Sequence, residues 1–192
     1  MALSNYAMLV SRTGAQAEAV AVVDRALTVD PLNAQAWALK SWILFGARRY
    51  RESIDAARRA LGIVPANLRA GTLVAWNLVF LGNLQEAQAQ LQTVPTDDYR
   101  RIVAEAAIAA RSKRRDSALL ALERLRREYG ETAVYQEAEI HAQLGDRDKT
   151  IEALEMAWST RDSGLAAVQV DPFLDPVRND PRVGAIAKRV FG

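Results

Sequence analysis

The stretch from Ala34 to Asn67, AQAWALKSWILFGARRYRESIDAARRALGIVPAN, decides the fold. It contains two helical runs separated by a short basic turn, with Trp37 early in the first, Tyr50 at the start of the second and Pro65 as a stop. Ser53, Ala57 and Ala60 form a stripe of small residues along the second run. A helix that must approach its neighbours closely needs such a stripe, because larger side chains would overpack the contact. Two runs joined in this way predict an antiparallel helical hairpin.

Working outward, the same features return every 34 residues: Ala26-Leu27 with Ala60-Leu61, Pro31 with Pro65, Asn33 with Asn67, and Ala19 with Ser53 and Ala87. Gly14 and Gly82 lie two periods apart. A period of this length is the mark of a repeat array in which each unit is one hairpin. The predicted units are 1–33, 34–67, 68–98, 99–130 and 131–162. The second run of the third is cut short at Pro95; the fourth keeps Ala118 but has Lys113 at its turn and Gly130 at its stop; the fifth carries Gly145 and Ala157. Residues 163–192 break the period and read as a C-terminal cap, ending in a helix with Asp180 as N-cap and Pro181 at its first position. The array starts inside its first helix without a polar cap, which leads us to expect further chain on the N-terminal side.

The period, the early aromatic, the small residues of the second helix and the terminal proline together resemble the tetratricopeptide repeat family. The cap also looks like the ends of bacterial tetratricopeptide regions appended to regulators, cyclases or kinases. The resemblance implies an all-α, right-handed superhelical solenoid of about five hairpins plus a cap. It further implies that first helices line a concave face and second helices a convex one, and that Trp37 is structural. Carried over by the period, one inner column reads Met8, Trp42, Trp76, Ala107, Glu139. Its neighbour reads Ser4, Ala38, Thr72, Val103, Tyr135, and the next turn adds Phe45, Val79 and Phe80.

These columns predict a partner-binding groove with an aromatic middle. Its candidate residues are Met8, Trp42, Phe45, Trp76 and Phe80 on the floor and Arg12, Arg69, Arg100 and Arg111 at the rim, the arginines being suited to carboxylates of the partner. The other reading of the same aromatics is packing between hairpins. Family members that grip the C-terminal carboxylate of chaperones use Lys, Arg and Asn on these inner columns. Here Ser4, Met8, Ala38, Trp42, Thr72 and Trp76 stand there, which argues against a chaperone-tail adaptor.

Composition narrows the function. Of the 192 residues half are apolar and a quarter charged, with a net charge of only +2 that names no partner. Zero cysteines and one histidine leave no disulfide, thiol nucleophile or multi-histidine metal site to expect, and no cofactor is expected. No apolar run approaches the roughly 20 residues that span a bilayer, and the first residues lack the basic segment plus apolar stretch of a signal peptide. We therefore expect no membrane insertion and a cytoplasmic location, with a periplasmic one left open for a chain with an upstream signal. His141 reads as a packed or half-exposed side chain, and no Walker loop, nucleophile elbow or Rossmann glycine pattern points to an enzyme.

Residues 99–130 hold nine basic and four acidic side chains, with Arg111, Lys113, Arg114 and Arg115 clustered at a turn. This basic patch suits phosphates or an acidic protein, but no aromatics interleave with it, so a solvated turn is the simpler reading and nucleic acid is disfavoured. The expected function is a scaffold that binds a protein or peptide partner in the groove, with self-association possible in principle. The alternative is the regulatory or sensor module of a larger signalling or transcription protein.

Overall fold

The computed structural model describes residues 2–192; Met1, the expected first residue of the first repeat, lies outside the described residues. Among the described residues the regular structure is entirely helical, with eleven α-helices and three short 3-10 segments. They fall into two compact units, one reaching to Val94 and the other running from Pro95 to Gly192.

The first unit contains α1 (Ala2–Arg12), α2 (Gln16–Val29), α3 (Ala34–Gly46), α4 (Tyr50–Ile63), α5 (Leu68–Phe80) and α6 (Leu84–Leu91). They pair as three successive hairpins, and the first helices α1, α3 and α5 also pack side by side. The repeating asparagines have a local cause: Asn33 accepts the Ala36 N–H at 2.9 Å and Asn67 the Ala70 N–H at 3.1 Å, each capping the next first helix. The small stripe is fully enclosed at Ala19, Ser53 and Ala87. At Ser53 the enclosure includes a polar tie, since its hydroxyl donates to the Ser41 carbonyl at 2.7 Å and accepts from the Asn77 amide at 2.8 Å, so one side chain joins α3, α4 and α5. Trp37, expected in the core, is only half buried. Its indole N–H needs an acceptor and finds the Pro31 carbonyl at 2.9 Å, which fastens the linker between hairpins.

The second unit contains α7 (Tyr99–Arg111), α8 (Arg115–Tyr129), a 3-10 segment (Gly130–Ala133), α9 (Val134–Gln143) and α10 (Arg147–Ser159). Two further 3-10 segments (Ser163–Ala167 and Pro172–Val177) then lead into α11 (Pro181–Phe191). Hairpins α7–α8 and α9–α10 are followed by these capping elements, whose Leu165, Val168, Leu174, Val177, Val183 and Ile186 complete a core with α9 and α10. Asp162, Asp171 and Asp180 each start a capping element by accepting a backbone N–H two residues on, at 2.8–2.9 Å. The Asp-Pro pairs at 171–172 and 180–181 are therefore helix starts.

The turn inside each hairpin needs one left-handed residue. Glycine supplies it at Gly14, Gly82 and Gly145, but Arg48 and Lys113 adopt the same conformation with φ of 59°. A side chain there is strained by about 1 kcal/mol. Lys113→Gly should therefore raise the unfolding free energy by about 1 kcal/mol in a urea titration.

Candidate functional site

The expected groove residues of the first unit converge on one ring. Phe45, near the end of α3, lies with its centroid 6.2 Å from Trp42, 5.9 Å from Tyr50, 5.6 Å from Trp76 and 5.4 Å from Phe80. Trp42 and Trp76 are 6.2 Å apart, and Tyr50 stacks on Phe80 at 5.4 Å. These are contact distances for aromatic pairs. The period correctly aligned the side chains, but rings on neighbouring helices reach one another and interlock. Phe45 is 1% exposed and Trp76 5%, so these two belong to the packing, which corrects their expected place on an open floor. Trp42, Phe80 and Met8 remain half buried, with Met8 and Trp42 also resting on the core of the first three helices. Arg12 and Arg69 are exposed, the former at the last position of α1 and the latter one residue into α5. Tyr50 completes the cluster and was absent from the expected set, because it belongs to a second helix and reaches the inner side only from the first position after the turn.

In the second unit, Arg100, Arg111 and Arg115 are already engaged. Arg100 binds Asp98 at 2.9 Å and lies over the Tyr99 ring at 4.5 Å. The basic turn divides in two. Arg115 grips both Asp146 oxygens at 2.7 Å and the Leu144 carbonyl at 3.2 Å, and Arg111 donates to Gln143 at 3.2 Å, so both brace one hairpin against the next. Lys113 and Arg114 project as exposed side chains. This division corrects the picture of a single four-residue patch. His141 is buried 3.6 Å from Asp146, and burial, with Arg126 nearby, pushes its basicity down. Among the described residues no group of side chains is arranged to hold a metal ion, and no helix is long and apolar enough to cross a membrane.

A polar cluster lies on α9, where Tyr135 and Glu139 stand in the expected inner columns but were not among the named groove residues. Tyr135, Glu139 and Gln143 sit one turn apart and so share one face of the helix. The Tyr135 hydroxyl donates to Asp171 at 2.9 Å, and the Gln143 amide donates to the Phe173 carbonyl at 2.6 Å. Between them Glu139, 4% exposed, lies close enough to Asp171, itself 2% exposed, for the two carboxyls to interact. Two buried carboxyls in contact cannot both ionise without a large penalty. Burial, reinforced by the charges of Asp171 and Asp162 and opposed by Arg100, pushes the Glu139 carboxyl well above its ordinary value. Burial raises Asp171 too, against bonds from Glu139, Phe173 and Tyr135 that favour its charge. The pair therefore shares one proton, with Glu139 the carboxyl pushed further above its ordinary value.

A carboxyl raised in the folded state contributes stability below its unfolded value, near pH 4.3, and that contribution is lost as pH rises toward the folded value. Glu139→Gln keeps a donor for Asp171 and removes the titration. Its melting temperature should match the parent protein at acidic pH and exceed it increasingly toward about pH 8.5 in thermal melts. Asp180 works in the opposite direction: bonds from Arg182 hold it down at about 2, so its contribution is lost only in strong acid.

No family model matches the chain, and no curated protein matches it in sequence. Its structure is similar to that of PilW, a widely conserved type IV pilus biogenesis factor, at 18% identity and a TM-score of 0.62, covering 98% of this chain and 90% of that one. A tetratricopeptide repeat protein from Parabacteroides merdae matches at 12% identity and a TM-score of 0.63, covering 99% of this chain and 83% of that one. YrrB, a tetratricopeptide protein with an unusual peptide-binding site, matches at 22% identity and a TM-score of 0.51, with 86% and 88% covered. At these identities the likeness is one of fold.

Proposed function

From a chain with the tetratricopeptide-repeat fold, we propose a protein-interaction module that binds an extended or helical segment of a partner along the inner helices of the first unit. The observation that carries the reading is the state of Trp42 and Phe80: both rings are half buried and both are braced by the enclosed Phe45. A rigid aromatic surface offers contact area at little entropic cost, which is how aromatic anchors act at interfaces. Met8 extends this surface on α1. Arg12 and Arg69 put a cation at either end of the first helices, so the fitting segment has apolar anchors in its middle and carboxylates at its flanks. YrrB, described by its peptide-binding site, provides a precedent for peptide binding on this fold.

A displayed library of random twelve-residue peptides, selected on the whole chain, supplies the probe. Trp42→Ala should weaken the selected peptides by about 2 kcal/mol, roughly 30-fold, while the urea midpoint moves little. A loss of about 3 kcal/mol or more of folding stability, with unchanged peptide affinity, would make Trp42 a packing residue and sink the reading.

A further inference from the structure

In hairpin α9–α10, Tyr135 and Glu139 occupy the register positions that Ala38 and Trp42 occupy in α3, with Gln143 one turn further along. In α9 these positions are covered by the chain itself. The segment Asp171-Pro172-Phe173-Leu174 lies on them with every residue buried. It is held as a bound peptide would be: its acidic side chain by Tyr135 and Glu139, and its backbone carbonyl at Phe173 by Gln143. Asp171 also accepts the Phe173 N–H at 2.9 Å, which fixes the segment's turn. Behind it, Arg178 donates to the Val168 carbonyl at 2.6 Å, the Gln169 carbonyl at 2.8 Å and the Asp171 carbonyl. The hold combines polar and apolar contacts: three residues of one helix face recognise a side-chain carboxylate and a carbonyl, while the Phe173 and Leu174 side chains are fully buried, Leu174 in the core with α9 and α10.

We propose that the Tyr135–Glu139–Gln143 face of α9 is a second docking site, occupied in cis by residues 171–174, and that its partner is a segment of the same chemistry, an aspartate followed by proline and an aromatic residue. The proposal rests on the reading that inner first-helix positions are the docking side of this fold. A tethered segment competes at high effective concentration, so an outside segment binds only when the cis contact is weakened. The site is also selective in its protonation. An incoming carboxylate needs the proton on Glu139, and the charged groups around that proton are Asp171 and Arg178 on the covering segment, Asp162 before it, Arg100 on α7 and the Tyr135 hydroxyl on α9 itself. The nearby charges of α8 and α10 are committed elsewhere, Arg126 to Glu137 at 2.6 Å and Asp146, ahead of α10, to Arg115. A partner with asparagine in place of the aspartate can donate to an ionised Glu139 and still accept from Tyr135, so it escapes the pH dependence.

The probe is a fluorescein-labelled synthetic peptide with the sequence of residues 169–178, titrated by anisotropy into the full chain. Asp171→Ala in the full chain removes the acidic anchor, and the peptide should bind this variant about tenfold or more tighter than the parent protein at about pH 5.5. Adding Tyr135→Phe to that variant should weaken the peptide several-fold. Raising the pH to about 8.5 should weaken the peptide with its native aspartate and leave the peptide with asparagine there unchanged. A folded Asp171→Ala chain that binds the peptide no better than the parent protein, or that is indifferent to Tyr135→Phe, overturns the proposal. If Asp171→Ala does not fold, amide exchange on the parent protein decides: residues 170–177 opening at lower free energy than α10 supports a displaceable occupant, whereas exchange only with α10 makes the segment a fixed staple. Trp42→Ala should leave the binding of this peptide unchanged, so this site and the first-unit face fail separately.

Discussion

Phe45→Ala should remove about 3–5 kcal/mol of folding stability, the largest loss expected from any single substitution in the first unit. The ring is 1% exposed and touches Trp42, Tyr50, Trp76 and Phe80, which come from three different helices. Truncation takes away the transfer energy of a whole phenyl ring and leaves a cavity that four rigid neighbours cannot fill by small rotations. Three of the four tryptophans, Trp37, Trp42 and Trp76, lie in the first unit, so a urea melt followed by tryptophan fluorescence reports chiefly on that unit. Phe45→Leu restores most of the volume and should recover more than half of the loss. An equal loss from both substitutions would point to the ring contacts themselves, and no loss from either would mean that the cluster is not assembled in solution.

Gly164→Ala should remove about 3 kcal/mol of folding stability from the second unit. A methyl group on Gly164 would lie 2.6 Å from Cγ and 2.7 Å from Cβ and Cδ1 of Tyr135. No flexible side-chain end can yield there. Tyr135 is fully buried, its hydroxyl is fixed on Asp171, and its backbone N–H donates to Asp162 at 3.0 Å. The relief must come from moving residues 162–165 off α9, which should appear as raised amide exchange in the capping elements before any change in α7 or α8. A double-mutant cycle tests the cause: in a Tyr135→Ala background Gly164→Ala should have almost no further effect. A full effect in that background would assign the glycine some role other than clearance for the ring.

Much of the fold was legible in the sequence because its signals are local. Asn33 and Asn67 cap helices through their own side chains, the stripe of Ala19, Ser53 and Ala87 is small because two helices meet there, and the residues at 14, 82 and 145 are glycines because the turn is left-handed. The period also put Trp42, Phe45, Trp76 and Phe80 on one side. It could not say which rings would be enclosed, because that depends on distances of 5–6 Å across helices, set by packing and not by spacing. Arg111 and Arg115 were legible as a basic stretch but not as braces between hairpins, since Gln143, which accepts a hydrogen bond from Arg111, and Asp146, which pairs with Arg115, lie about thirty residues away in sequence. The α9 site was hidden for a similar reason. Tyr135 and Glu139 stood in the inner columns, but Asp171-Pro172 belonged to a segment, 163–192, that read only as a cap breaking the period. Nothing local indicated that the segment would be seated on them.

If the inner face of the first unit receives a partner segment, amide exchange with and without a library-selected peptide will register it. Added protection is expected in α1, α3 and α5, greatest in residues 39–46 and 73–80, with α2, α4 and α6 unchanged. Protection confined to the second helices, or spread over neither face, would contradict it.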